Sequence, residues 1–195
     1  MDTFPITPAK TSVTSLRRLA ERDAAAGRNT AGYISGYRGS PLGGYDQLLL
    51  KEAARLKAAN IVFNPGLNED LAATAVWGTQ QVPLSPGARH EGVFGIWYGK
   101  GPGVDRSVDV FKHANAAGSS KHGGVLLVAG DDHACKSSTL PHQSEHIFAA
   151  AMIPVLYPTG VQEIIELGLH GFAMSRYSGC YVAFKVVSDT VDSSA

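Results

Sequence analysis

The sequence is poor in cysteine. Cys135 and Cys180 are the only two in 195 residues, too few for a disulfide framework, a four-cysteine zinc site or a four-thiolate iron–sulfur cluster. Two distant thiols suit a reducing compartment. There is no excess of charge: 17 Lys and Arg balance 17 Asp and Glu. No global field therefore exists to hold nucleic acid or an anionic membrane, and any anion must be bound locally. No apolar run approaches the roughly 18 residues of a membrane span. Residues 1–10 also lack the basic and apolar segments of a secretory signal. These absences set the expectation of a cytoplasmic protein that takes neither nucleic acid nor membrane. A hydrophobic share of 44% with 17% charged residues excludes disorder and indicates a packed globule.

Glycine is abundant, at 22 residues beside 10 prolines, against a usual glycine share of about 7%. The glycines fall singly or in pairs at the ends of periodic segments, so they punctuate a fold. Apolar periodicity predicts helices over 12–26, 43–59, 68–82, 105–117, 140–151 and 160–177. Strands are predicted over 31–37, 61–64, 93–98, 125–130, 155–157 and 181–187. This alternation predicts one α/β domain over 1–195, with an N-terminal helix in 1–29 and a core over 30–195. The core is expected to be a doubly wound open parallel sheet of about six strands with helices on both faces. In such sheets ligands bind beyond the carboxyl ends of the strands. The informative stretches are therefore 36–44, 65–70, 98–105 and 130–139.

Four motifs lie there. Gly36-Tyr37-Arg38-Gly39-Ser40-Pro41-Leu42-Gly43-Gly44 allows close backbone approach to a ligand, but its spacing is neither a Walker loop nor a dinucleotide fingerprint. Ser40 and Pro41 also suit a helix cap and first turn, whereas a turn has no need of the Arg38 guanidinium. Asn64-Pro65-Gly66-Leu67-Asn68-Glu69-Asp70 leads into a helix that Asn68 can cap, and its acids could be dipole partners only. Gly130-Asp131-Asp132-His133-Ala134-Cys135-Lys136-Ser137-Ser138-Thr139 gathers carboxylates, imidazole, ammonium, thiol and hydroxyls after a buried strand. Lys136 or His133 could neutralise a substrate carboxylate there. His142-Gln143-Ser144-Glu145-His146 matches an H-x-x-E-H zinc pattern at the start of a helix, with Glu163 or Glu166 available as a third ligand. Such short patterns arise often by chance, and the assignment here is no metal.

Taken together, "TAGYISGYRGSPLGGYD", "NPGLNEDLAATAVWGTQQ", "WYGKGPGVDRSVDVFKHANAAG" and "GDDHACKSSTLPHQSEH" closely resemble the N-terminal part of the bacterial indolepyruvate ferredoxin oxidoreductases, a branch of the 2-oxoacid:ferredoxin oxidoreductases. The resemblance covers nearly the whole chain. It implies the pyrimidine-binding (Pyr) domain of a thiamine diphosphate enzyme that oxidatively decarboxylates an arylpyruvate such as indolepyruvate, giving acyl-CoA and reduced ferredoxin. It implies that Glu69 is the catalytic glutamate that bonds N1′ of the aminopyrimidine, with Asn68, Gly39 and Ser40 at the cofactor. Arg38, Ser40, His133, Lys136, Ser137 and Ser138 are implied on the substrate side. Arg38 stands where relatives commonly carry Pro.

The G-D-G motif that holds the diphosphate and Mg²⁺ is missing, Gly130-Asp131-Asp132 being no substitute, and so are cluster-binding cysteines. The resemblance therefore implies that the chain supplies about half of an active site. A diphosphate-binding partner domain or subunit would complete it, iron–sulfur clusters would lie elsewhere in an oligomeric enzyme, and the isolated chain would be inactive. A non-catalytic scaffold or interaction domain of the same fold is the alternative, and an H-x-x-E-H zinc hydrolase ranks third.

Overall fold

The computed structural model describes residues 8–136 and 138–193, with side chains from residue 13 onward. The chain runs α1 (Pro8–Ala25), β1 (Thr30–Gly36), α2 (Tyr45–Lys51), α3 (Ala53–Ala58), β2 (Ile61–Phe63), α4 (Glu69–Gln80), β3 (Gly92–Lys100), α5 (Gly101–Ala117), β4 (Val125–Asp131), α6 (Glu145–Ala150), β5 (Val155–Leu156), α7 (Val161–Ser178), β6 (Val182–Val187) and α8 (Ser188–Val191). A short 3-10 turn, Val82–Leu84, follows α4. No described helix is long and apolar enough to cross a membrane.

All strand pairs are parallel, in the order β2-β1-β3-β4-β6-β5. The central strands β3, β4 and β6 are buried almost throughout because helices cover both faces, which is why they read as nearly unbroken apolar runs. On one face Leu16 and Leu19 of α1, Leu49 of α2, Leu56 of α3 and Phe172 of α7 pack on Ile34, Phe94 and Val182. On the other, Ala72 and Val76 of α4, Phe111 of α5 and Phe148 of α6 pack on Trp97, Leu127 and Ala183. The open, doubly wound α/β sheet expected from the sequence is the sheet observed. The winding reverses between β1 and β3, which places a crevice at their carboxyl ends.

One long-range tie closes the first face. The Arg176 guanidinium of α7 donates two bonds of 2.8 Å to the carboxylate of Asp23, in the last turns of α1 and 153 residues away. Thr30 adds a third at 2.8 Å. Burial alone would raise the Asp23 pKa, but these donors, with Arg28 nearby, outweigh it and hold the carboxyl below its ordinary value.

Four predicted helices begin or run differently. The helix expected from residue 12 begins at Pro8. The helix expected over 43–59 is interrupted at Glu52 (ψ 6°), giving α2 and α3. The helix expected from residue 105 begins at Gly101, since Pro102 in a first turn forfeits no intrahelical bond. The helix expected from residue 140 begins only at Glu145. The buried Asp131 carboxylate accepts from both the Ser144 amide (2.9 Å) and the Ser144 hydroxyl (2.5 Å), so this amide is bonded to a side chain and not to a carbonyl one turn earlier, and Ser144 becomes the helix cap.

Candidate functional site

The four loops singled out in the sequence meet at the crevice. The Gly66 amide donates to the Gly36 carbonyl at 2.9 Å, joining the turns after β1 and β2. A side chain at Gly39 would lie 2.5 Å from Lys100 Cδ, so the glycine loop rests directly on the end of β3. A side chain at Gly130 would meet Leu42 Cγ at 2.9 Å, which brings in the end of β4. Local rules explain these loops: each follows a parallel strand and precedes a helix, and glycine allows backbones to approach where a Cβ would not fit.

Glu69 is the first residue of α4 and is half-buried. Three features fix it. The Asn68 side chain caps the helix by accepting the Leu71 amide at 2.9 Å. The fully buried Trp97 indole donates to the Glu69 carbonyl at 3.0 Å. The Glu69 side chain lies along the first turn of α5, where a Cβ on Gly103 would stand 2.6 Å from Cγ and 3.0 Å from Oε1. Among the described residues the Glu69 carboxylate has no hydrogen-bond or ion-pair partner. It is a positioned carboxylate beside the amino end of a 17-residue helix, able to accept a proton or to hydrogen-bond a ring nitrogen.

On the other flank of the same helix end lies a second polar group. The His142 ring is packed against the Cα of Gly101. Its Nε2 is 2.7 Å from Asp105 Oδ2 and its Nδ1 is 3.7 Å from Asp131 Oδ1. Behind it, the buried Lys185 ammonium of β6 pairs with Glu145 and stands 3.5 Å from Asp131 Oδ2, over the Tyr157 ring at 4.9 Å. Burial opposes ionisation of Glu145, but the Lys185 ammonium outweighs it and holds the carboxyl below its usual range, with a smaller pull from His133. The network joins the ends of β4 and β6 to the start of α5.

The remaining predicted residues are spread more widely. Arg38 is exposed and makes no ion pair among the described residues, while Gly39 and Ser40 are half-buried. Ser40 does not cap a helix, since α2 starts at Tyr45 with Gly44 at its cap. His133 is exposed. Lys136 is turned to Asp192 at the end of α8, 3.7 Å away. The Ser138 hydroxyl is buried with no hydrogen-bond partner among the described residues, and Ser137 lies outside them. The pairing of His142 and His146 on one helix face is corrected: His142 precedes α6, whose N-cap Ser144 is tied to Asp131 by its amide and hydroxyl, and the two ring nitrogens of His142 face carboxylates. Among the described residues no group of three metal-ligating side chains is assembled.

Sequence reasoning missed Trp97, Gly103 and the Lys185 network. A tryptophan and a lysine inside otherwise apolar strands, and a Gly-Pro-Gly that opens a helix, were the available signals.

No protein-family model matches the chain. Among curated proteins, indolepyruvate oxidoreductase subunit IorA of Methanothermobacter marburgensis is 28% identical over 152 residues, covering 78% of this chain and 22% of that protein. The subunit of the same name from Methanothermobacter thermautotrophicus is 25% identical over 164 residues, covering 84% of this chain and 24% of that protein. The chain thus spans less than a quarter of either relative. Among solved structures, a 2-oxoglutarate:ferredoxin oxidoreductase from Magnetococcus marinus, with 2-oxoglutarate, coenzyme A and succinyl-CoA bound, superposes with a TM-score of 0.70 at 13% identity. The match covers 96% of this chain and 30% of that one. The fold is shared, and the resemblance carried by the four motifs is borne out by these relatives.

Proposed function

We propose that this chain is the pyrimidine-binding domain of a thiamine diphosphate-dependent 2-oxoacid:ferredoxin oxidoreductase, with an arylpyruvate such as indolepyruvate as substrate and acyl-CoA and reduced ferredoxin as products. The observation that carries this reading is the Glu69 carboxylate, oriented by Trp97 and Asn68 and set against Gly103 with no partner of its own among the described residues. A carboxyl group so placed fits the ring nitrogen of an aminopyrimidine better than it fits a structural ion pair. The names of the relatives supply the reaction class.

In this reading Glu69 shares a proton with N1′ of the aminopyrimidine. Asn68 and Trp97 keep its backbone still, so that the carboxyl group meets the ring without reorganisation. Gly103 leaves room for the side chain beside the helix. Gly39 and Ser40 border the same crevice. The unpartnered Arg38 guanidinium suits a substrate carboxylate, with His133, Lys136, Ser137 and Ser138 on the substrate side. Thiamine diphosphate, when bound, supplies the electron sink for decarboxylation. Its diphosphate and Mg²⁺ fall to a partner domain or subunit, because this chain has no G-D-G motif.

The test is Glu69→Gln in the enzyme assembled with its diphosphate-binding partner. Turnover with indolepyruvate should fall by about 10²–10⁴-fold with assembly intact. Activity within a few fold of wild type would remove Glu69 from this role.

A further inference from the structure

At the opposite, amino-terminal end of the sheet, α1, α3 and the start of β1 enclose a second depression of about 580 Å³. This volume is in the range of small-molecule sites. Its floor is made of alanines of α1 and the end of α3, among them Ala20 and Ala59, so nothing bulky fills it. Around this floor stand three guanidinium groups, Arg17, Arg28 and Arg55, against one lining carboxylate, Glu21.

None of the three arginines is strongly engaged. Arg17 reaches Glu21 at 3.5 Å with both side chains exposed. Arg55 makes a short-range pair with Glu52 at 3.0 Å, its guanidinium exposed and the carboxylate partly shielded. Arg28, itself partly exposed, lies 3.6 Å from a buried Asp23 oxygen to which Arg176 already donates at 2.8 Å. Pairs whose guanidinium stands in solvent, as those of Arg17 and Arg55 do, contribute about 0–1 kcal/mol and exchange readily for a ligand that accepts bidentate hydrogen bonds from guanidinium. The lining itself therefore carries a local excess of positive charge in a chain with no net charge.

We propose that this groove binds a phosphorylated small molecule of the nucleotide class, its phosphates taken by Arg17, Arg28 and Arg55 and its planar ring laid on the alanine floor. The convergence of three weakly committed guanidinium groups over a small-residue floor is the observation that carries it, and it is independent of the reading of Glu69.

The probes are ADP, adenosine and inorganic pyrophosphate, titrated into the chain by calorimetry and followed by amide chemical shifts. ADP should bind once, shift amides of α1 and α3, weaken with added salt, and lose at least tenfold in affinity in Arg55→Gln and in Arg17→Gln. Adenosine should bind far more weakly. Unchanged thermal midpoints in both variants, which alter exposed side chains, show that the loss is local. Pyrophosphate binding as tightly as ADP would overturn the nucleotide assignment. Shifts at the Glu69 loops, an Arg55→Gln affinity equal to wild type, or no ADP binding at millimolar concentration would overturn the site.

Discussion

His142 Nε2 stands 2.7 Å from Asp105 Oδ2, across the gap between the segment that follows β4 and the first turns of α5. The contact fastens a loop to the helix end that also supports Glu69 on its other flank. A histidine that reads as half of a zinc pair in the sequence is, in the fold, a strut. With Asp105 half in solvent, His142→Ala and Asp105→Asn should each weaken the domain, with a coupling of about 1 kcal/mol in a double-mutant cycle by urea denaturation. Additive effects would show that the two side chains merely lie near one another. Added zinc should leave the thermal midpoint of the wild-type chain in place.

Gly103→Ala separates placement of Glu69 from stability. Alanine is favoured over glycine inside a helix by about 1 kcal/mol, so α5 itself should not suffer. The new Cβ would stand 2.6 Å from Glu69 Cγ and displace the carboxylate. The assembled enzyme should keep its urea midpoint while turnover falls about 10²-fold, the usual penalty for an ångström of misplacement. Unchanged turnover would mean that the helix end does not position Glu69.

Lys185→Met tests the buried charges. It leaves the wholly buried Asp131 with the Ser144 donors and His142 but without its cation. Breaking one member of such a buried set typically costs about 3–5 kcal/mol. Asp131→Asn in the Lys185→Met background should recover part of that loss, read again by denaturant midpoint.

Asp23 makes stability depend on acidity. Its folded pKa lies below the unfolded value near 3.8 because the Arg176, Thr30 and Arg28 contributions outweigh the opposing effect of burial. The pair therefore contributes fully above that value, and its contribution is lost as pH falls through the depressed folded pKa. Unfolding free energy should decline on acidification below about pH 4 in the wild type and more gently in Asp23→Asn. Parallel profiles for the two proteins would refute the assignment.

Strand and helix order were legible in the sequence because each element carried its own period. Val125 to Ala129 read as a buried strand and is one, and Leu48, Leu49 and Leu56 read as helical, although they fall on two short helices, α2 and α3. The cluster of loops was legible for the same reason, since the carboxyl ends of parallel strands must lie together. What could not be read were relations made by tertiary contact. Nothing near Ser144 announces that Asp131 will delay the start of α6, and nothing in the 130–139 segment says that Lys136 turns to Asp192. From its residue type and position alone Glu69 could be an ordinary helix-start acid; its catalytic role came from the resemblance, and the fold adds Trp97 and Gly103 around it.

The clasp between Asp23 and Arg176 also bears on how the domain comes into being. Within this domain α1 is made before α7, so it carries a carboxylate destined for burial long before the guanidinium partner exists. Until α7 arrives, Asp23 has Thr30 and Arg28 to turn to among the described residues, and docking α1 would strand much of a charge away from water. Early as it is made, α1 is therefore expected to be among the last elements of the domain to settle. A nascent chain halted before residue 176 should leave α1 open to protease, and one released just beyond it should not.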